Sequence, residues 1–185
     1  QDIFHHLNYT NYFVMTGNHN WGNIRDLARI HKSTVLTSKH HNGAIDITAM
    51  NWTNNVFIPK LKEHQPFFLT FQNLDTHNGR MPNSCRKKEK VSAKTSFFRE
   101  FDCLDQYLKE MFDALKKNGL YENTEIIIYG DHFFMGKNYN FVEPRREAII
   151  LPKHKLGNIS FETSFYDMTH LILHLMDIKI SPPFL

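Results

Sequence analysis

The sequence predicts an α/β fold, a mostly parallel sheet flanked by helices, and three observations carry that expectation. Short runs of strand-forming apolar residues recur at 67–71, 125–129 and 147–151, each closed by Gly, Pro or a turn-rich stretch. Between the first two lies a long apolar stripe at helical spacing. Strand, long helix and strand make a crossover unit, which sets its two strands parallel. The strand runs are continuously apolar rather than alternating, as suits strands covered on both faces of a parallel sheet.

In chain order, a short and weaker helical pattern covers Trp21 to His31. Phe67-Phe68-Leu69-Thr70-Phe71 follows Pro66 and runs into the turn-rich stretch from Asn73 to Pro82. The basic run Arg86-Lys87-Lys88-Glu89-Lys90 sits beside Pro82, Asn83 and Ser84 and reads as a solvated loop. Phe97, Phe98, Phe101, Leu104, Leu108, Met111, Phe112 and Leu115 then recur at spacings of three and four, and Gly119 supplies the stop. Glu125-Ile126-Ile127-Ile128-Tyr129 ends at Gly130, and Glu147-Ala148-Ile149-Ile150-Leu151 stops at Pro152. A closing amphipathic helix spans about Thr163 to Met176, with Phe165, Met168, Leu171, Ile172 and Leu175 as its buried stripe.

Composition bounds the function. The 185 residues are 41% hydrophobic and 14% aromatic, which excludes disorder and fibrous architectures. No repeat or linker divides the chain, so residues 1–185 read as a single domain. A net charge of +3 is too small to demand nucleic acid as a partner. No apolar run approaches the roughly 18 residues of a membrane span. Gln1 is not an initiator Met, and no signal peptide follows it, so the chain is expected to be part of a longer protein.

The chemistry concentrates where strands end. In open α/β sheets ligands bind outside the carboxyl ends of the strands. There the sequence places Asn73-Leu74-Asp75-Thr76-His77-Asn78-Gly79 and Gly130-Asp131-His132, two Asp/His pairs on one expected rim. Carboxylate oxygen with imidazole nitrogen suits Mn²⁺, Zn²⁺ or Fe²⁺ better than Ca²⁺. Neighbouring strand residues face opposite ways, so Asp131 and His132 can share an ion only where the strand has ended, a departure that Gly130 permits. The plainer reading is a helix-capping Asp beside a surface His. His77 reads as a phosphate or sulfate ligand, a general acid or a solvated loop residue, and Asp75 as its orienting partner or a turn cap. Cys85 and Cys103 are either one disulfide or two unrelated thiols. No Gly-x-Ser-x-Gly, phosphate-binding Gly-rich loop or Cys/Ser-x-Pro-x-Arg motif supplies a nucleophile.

Leu74-Asp75-Thr76-His77 with Gly79 and Cys85, then Cys103, then Gly119-Leu120-Tyr121-Glu122-Asn123-Thr124 running into Tyr129-Gly130-Asp131-His132, resembles the alkaline phosphatase and sulfatase superfamily. Within it the resemblance is to the branch of phosphoglycerol transferases and lipoteichoic acid synthases. It extends from Tyr9-Thr10-Asn11-Tyr12-Phe13 and Gly17 to the closing helix around Tyr166-Asp167.

The resemblance implies the carboxy-terminal portion of a sulfatase-like catalytic domain, incomplete at its N-terminus. It implies an extracytoplasmic, periplasmic enzyme anchored in the membrane by segments outside this chain. Such an enzyme holds one divalent ion, Mn²⁺ foremost, with Zn²⁺, Mg²⁺ or Ca²⁺ as alternatives. Its threonine nucleophile attacks a phosphatidylglycerol-type phosphodiester, and a glycan or polymer hydroxyl accepts the glycerophosphoryl group. By the same resemblance Asp131 and His132 bind the metal, His77 holds the substrate phosphate, and Trp21 and Arg25 contact the glycerophosphate. The nucleophile and a metal-binding Glu belong upstream of the matched segment, so the chain alone is expected to be inactive. A Cys85–Cys103 disulfide is favoured on the extracytoplasmic reading, closing the turn after His77 onto the long helix. Two other readings stand beside this one: a sulfuric ester hydrolase, and a non-catalytic remnant that binds an anion or metal.

Overall fold

A computed structural model describes residues 1–17, 21–37, 46–74, 76, 93–130, 148–151 and 167–179, with the main chain alone at 21, 93–100 and 148–151. By its internal contacts the chain divides into two compact units, Gln1–Tyr121 and Glu122–Leu185.

The first unit is built on a parallel sheet in the order β2-β1-β3. Its strands are β1 (Thr10–Met15), β2 (Thr34–Leu36) and β3 (Phe67–Gln72). Tyr12 pairs with Thr34 on one side and with Leu69 on the other, and Met15 pairs with Gln72. Because β1 is central among these strands, it carries the deepest side chains: Val14 is 0% and Met15 3% exposed. Burying a side chain of this size stabilises the fold by roughly 1.5–3 kcal/mol. The sequence pattern drew attention to β3 and passed over β1 and β2. Yet β3, at the edge of the described sheet, is half-buried along its whole length.

Helices cover both faces. After α1 (Asp2–His6), whose Phe4 stacks on Phe68 with ring centroids 4.3 Å apart, the chain enters β1. Helix α2 (Ile24–Ile30) crosses back to β2 and packs Ala28 against Met15 and Val35, with Phe13 and Ile24 at the margin. The opposite face receives α3 (Asp46–Trp52), a π-helical turn (Thr53–Phe57) and α4 (Ile58–Leu61). The widened turn precedes Pro59, which offers no N–H to a regular helical ladder. Phe57 meets Tyr12 edge to face at 4.9 Å, and Ile58 and Leu61 are completely buried.

The long helix α5 (Ala93–Lys117) falls where the apolar periodicity placed it and ends at Gly119, whose φ of 69° is left-handed. There Leu120 N–H donates to Leu115 O at 2.9 Å, closing the helix end as glycine stops do. The expected stripe is met at Leu115, which is buried, and at Leu108 and Met111, which pack on the core, but it omits Cys103 and Tyr107 and includes the exposed Phe101. Cys103, Tyr107 and Leu115 are 5% exposed and Phe101 is 47% exposed. At 100° per residue Phe101 stands about 160° round the helix from Cys103. Cys103 and Tyr107 pack with Met50 of α3, with Phe71, Leu108 and Met111 alongside.

In the second unit β4 (Ile126–Tyr129) pairs with β5 (Ala148–Leu151) in antiparallel register, Ile127 opposite Ile150. This corrects the sequence expectation, which read both as parallel strands from their continuous apolar runs. Such runs report burial on two faces and carry no information on strand direction. Helix α6 (Met168–Leu175) occupies part of the expected closing helix, and its buried residue is Leu173, which the expected stripe omitted. Among the described residues no helix is long and apolar enough to cross a membrane.

Candidate active site

Three parallel strands deliver three chain segments to the same edge of the first unit's sheet. Behind β1 come Thr16 and Gly17, behind β2 comes Thr37, and behind β3 come Asn73, Leu74 and Thr76. The layout matches the general rule that α/β sheets bind ligands at their carboxyl edge.

This edge is unusually polar for its depth. Thr16, Thr37 and Asp46, the first residue of α3, are 5%, 6% and 2% exposed. Buried polar groups require partners, and here the partners tie the β3 terminus down. Thr16 Oγ1 donates to the Gln72 carbonyl at 3.2 Å, linking the ends of β1 and β3. The Leu74 N–H donates to both carboxylate oxygens of Asp46, at 2.9 and 3.0 Å. Asn73 Nδ2 donates to Thr76 Oγ1 at 2.9 Å, bracing the next turn. Gly17, at a φ of 72°, lies so close to Leu74 that a Cβ there would collide with Leu74 Cδ2. The main chain entering Asp75-Thr76-His77 is therefore held from β1, from α3 and by its own side chains. Asp46 is the residue that sequence reading missed. A lone Asp opening a helix looks like an ordinary cap, and only the fold reveals a partner 28 residues away.

Of the residues singled out from sequence, Trp21 and Arg25 lie between β1 and β2. Trp21 opens a 3-10 turn (Trp21–Asn23) in which Gly22 and Asn23 are both left-handed, with φ of 62° and 55°. That pair of residues bends the chain into α2 and sets Arg25 in its first turn, on the carboxyl side of β1. Since β1 adjoins β3, the segment bearing Trp21 and Arg25 and the segment leading to His77 leave from neighbouring strand ends. The Arg25 side chain is 29% exposed, and its Nε donates to Asp26 Oδ1 at 3.1 Å. Arg29 approaches the same oxygen at 3.8 Å. Arg25 thus has a guanidinium with one N–H engaged by a neighbour and a planar fork suited to a bidentate oxyanion.

His77, Asp75, Cys85, Asp131 and His132 lie outside the described residues. Strand β4 ends at Tyr129, and Gly130 follows it outside the strand. Among the described residues no group of three or more His, Cys, Asp or Glu forms a metal cluster. Cys103 is buried in the core beneath α3, and no described cysteine is a free thiol.

A family model described as Sulfatase matches residues 1–177. Lipoteichoic acid synthase 1 of Bacillus subtilis is 37% identical over 89 residues, covering 45% of this chain and 14% of that protein. Lipoteichoic acid synthase of Staphylococcus aureus is 51% identical over 37 residues, or 20% of this chain and 6% of that protein. Among solved structures, the lipoteichoic acid synthase of Listeria monocytogenes superposes with a TM-score of 0.62 at 16% identity, covering 70% of this chain and 35% of that one. A protein of the alkaline phosphatase superfamily from Vibrio parahaemolyticus gives 0.63 at 20% identity, covering 81% and 40%. The structural likenesses show a shared fold, and the matched stretches span less than half the length of each relative.

Proposed function

This chain belongs to the sulfatase family, and on that premise we propose that its parent protein is a metal-dependent phosphoglycerol transferase or phosphodiesterase. The substrate is a phosphatidylglycerol-type phosphodiester and the acceptor a glycan or polymer hydroxyl. The observation that carries the reading is the likeness to lipoteichoic acid synthases in a chain whose β3 terminus is pinned immediately before Asp75-Thr76-His77.

The chain's own residues divide the work. Arg25 offers its free N–H groups to the substrate phosphate, His77 holds a second phosphoryl oxygen, and Trp21 packs the glycerol. These contacts position a tetrahedral oxyanion and oppose the charge that grows on it. Asp131 and His132 would hold a divalent ion of the Mn²⁺ type, for which one carboxylate and one imidazole are a suitable though partial donor set. When bound, that ion supplies Lewis-acid stabilisation of the phosphoryl oxygens. On this reading the nucleophile and the remaining metal ligands are supplied by other segments of the parent protein, and the 185 residues by themselves would turn over no substrate. An extracytoplasmic setting accords with a Cys85–Cys103 disulfide.

The substrate class is tested by offering the full-length protein, with Mn²⁺, vesicles of phosphatidylglycerol and, separately, an aryl sulfate. Release of diacylglycerol without release of sulfate supports the proposal. Sulfate release alone would make the protein a sulfuric ester hydrolase, and no release of either would make it a binding remnant.

A further inference from the structure

We infer that Asp46 is a positioning residue for substrate phosphate: its buried carboxylate fixes the main chain from which the His77 segment departs. The inference rests on the reading of His77 as a phosphate ligand and assigns to Asp46 a role that acts only through it.

Asp46 is 2% exposed, and a carboxylate at that depth is stable only where donors meet it. Both of its oxygens accept the Leu74 N–H, at 2.9 and 3.0 Å. Leu74 is the second residue beyond β3 and stands three positions before His77. At Leu74 the chain has left the ladder that fixes β3 against β1, whose last pair is Met15 with Gln72. The carboxylate therefore takes over from the sheet where the sheet ends. Asp46 itself is held by α3, which packs through Met50 on Cys103 and Tyr107 of α5. The anchor is thus a core element, and Gly17 closes the other side of Leu74. A phosphate ligand gains from a rigid mount, because a displacement of about 1 Å can cost up to a hundredfold in function.

The test measures the Kd for glycerol phosphate by titration calorimetry in the full-length protein, together with thermal unfolding. The variants are Asp46→Ala, Asp46→Asn, His77→Ala and the double variant Asp46→Ala/His77→Ala. Asp46→Ala should weaken binding about tenfold. Asp46→Asn, which keeps one oxygen for the Leu74 N–H, should restore it to within about threefold of wild type. The double variant should bind no worse than His77→Ala alone. Should Asp46→Ala fail to fold, Asp46→Ser supports the start of α3 but is too short for the same reach, and takes its place in the cycle. Multiplicative losses in the double variant, or a lowered melting point with Kd unchanged, would overturn the role of Asp46 and leave His77 standing. An unchanged Kd in His77→Ala would overturn the phosphate reading of His77, and the inference with it.

Discussion

Gly17 and Leu74 show how closely the candidate rim is fitted at the scale of single residues. Gly17 sits at a φ of 72°, and a Cβ there would strike Leu74 Cδ2, the far end of a flexible side chain. Gly17→Ala therefore adds the cost of a left-handed L-residue to that of a displaced rotamer, about 2 kcal/mol together. Chemical denaturation should show that loss. Leu74→Ala in the same background should recover about 1 kcal/mol of it, because the collision is then gone. Purely additive losses would mean that the two residues do not meet. Gly17 was legible in the sequence as part of a family pattern, but its neighbour was not. The contact joins positions 17 and 74, and no local pattern reports a pairing of that range.

At the scale of elements, periodicity located helices well and faces less well. On α5 the apolar periodicity picks out Phe, Leu and Met, whereas Cys103 and Tyr107 lie in the buried cluster beside Leu108 and Met111. A small thiol and a polar-tipped ring are weak hydropathy signals, yet both bury readily in cores. Strands β1 and β2 escaped notice for a related reason. Thr10-Asn11-Tyr12 and Thr34-Val35-Leu36 are too mixed or too short to stand out, and their order comes from pairing on both sides of β1. Between α1 and the end of α2, Asp2 Oδ2 lies 2.8 Å from His31 Nδ1. That hydrogen bond is the main reason the Asp2 carboxyl lies below its ordinary range. A lowered carboxyl contributes stability above its unfolded value, near pH 4, and loses it as pH falls through the folded value. With Asp2 49% exposed, solvent screening holds the contribution to about 0.5 kcal/mol. Asp2→Asn should lose that increment at pH 6, and the difference from wild type should shrink toward pH 2 as the Asp2 carboxyl protonates, by urea unfolding. An equal difference at both pH values would show that the Asp2–His31 hydrogen bond is not responsible.

For the whole molecule, the fold class and family were legible because motifs at strand ends are read in order along the chain. Strand direction was not, since the antiparallel pairing of β4 and β5 depends on partners rather than on composition. The chemistry expected at Asp131 and His132 rests on their donor atoms, their place after a strand and a resemblance, while the rim that the structure displays belongs to β1, β2 and β3. The proposed Cys85–Cys103 bridge is the covalent counterpart of that rim, tying the sequence after His77 to the core beneath α3. A loop of that length contributes about 3 kcal/mol by chain entropy. Non-reducing peptide mapping should find the two cysteines linked, and reduction should lower the denaturation midpoint accordingly. Two alkylatable thiols under oxidising conditions would contradict the bridge.

Phosphoryl transfer at a metal-assisted site is tested most directly by the rate of diacylglycerol release from phosphatidylglycerol vesicles. The full-length protein with Mn²⁺ is compared with its Asp131→Ala variant. The expected result is steady release by the wild type, abolished by chelation and reduced about a hundredfold or more by the substitution. Equal rates for the two proteins, or release that survives removal of the metal, would contradict the proposed chemistry.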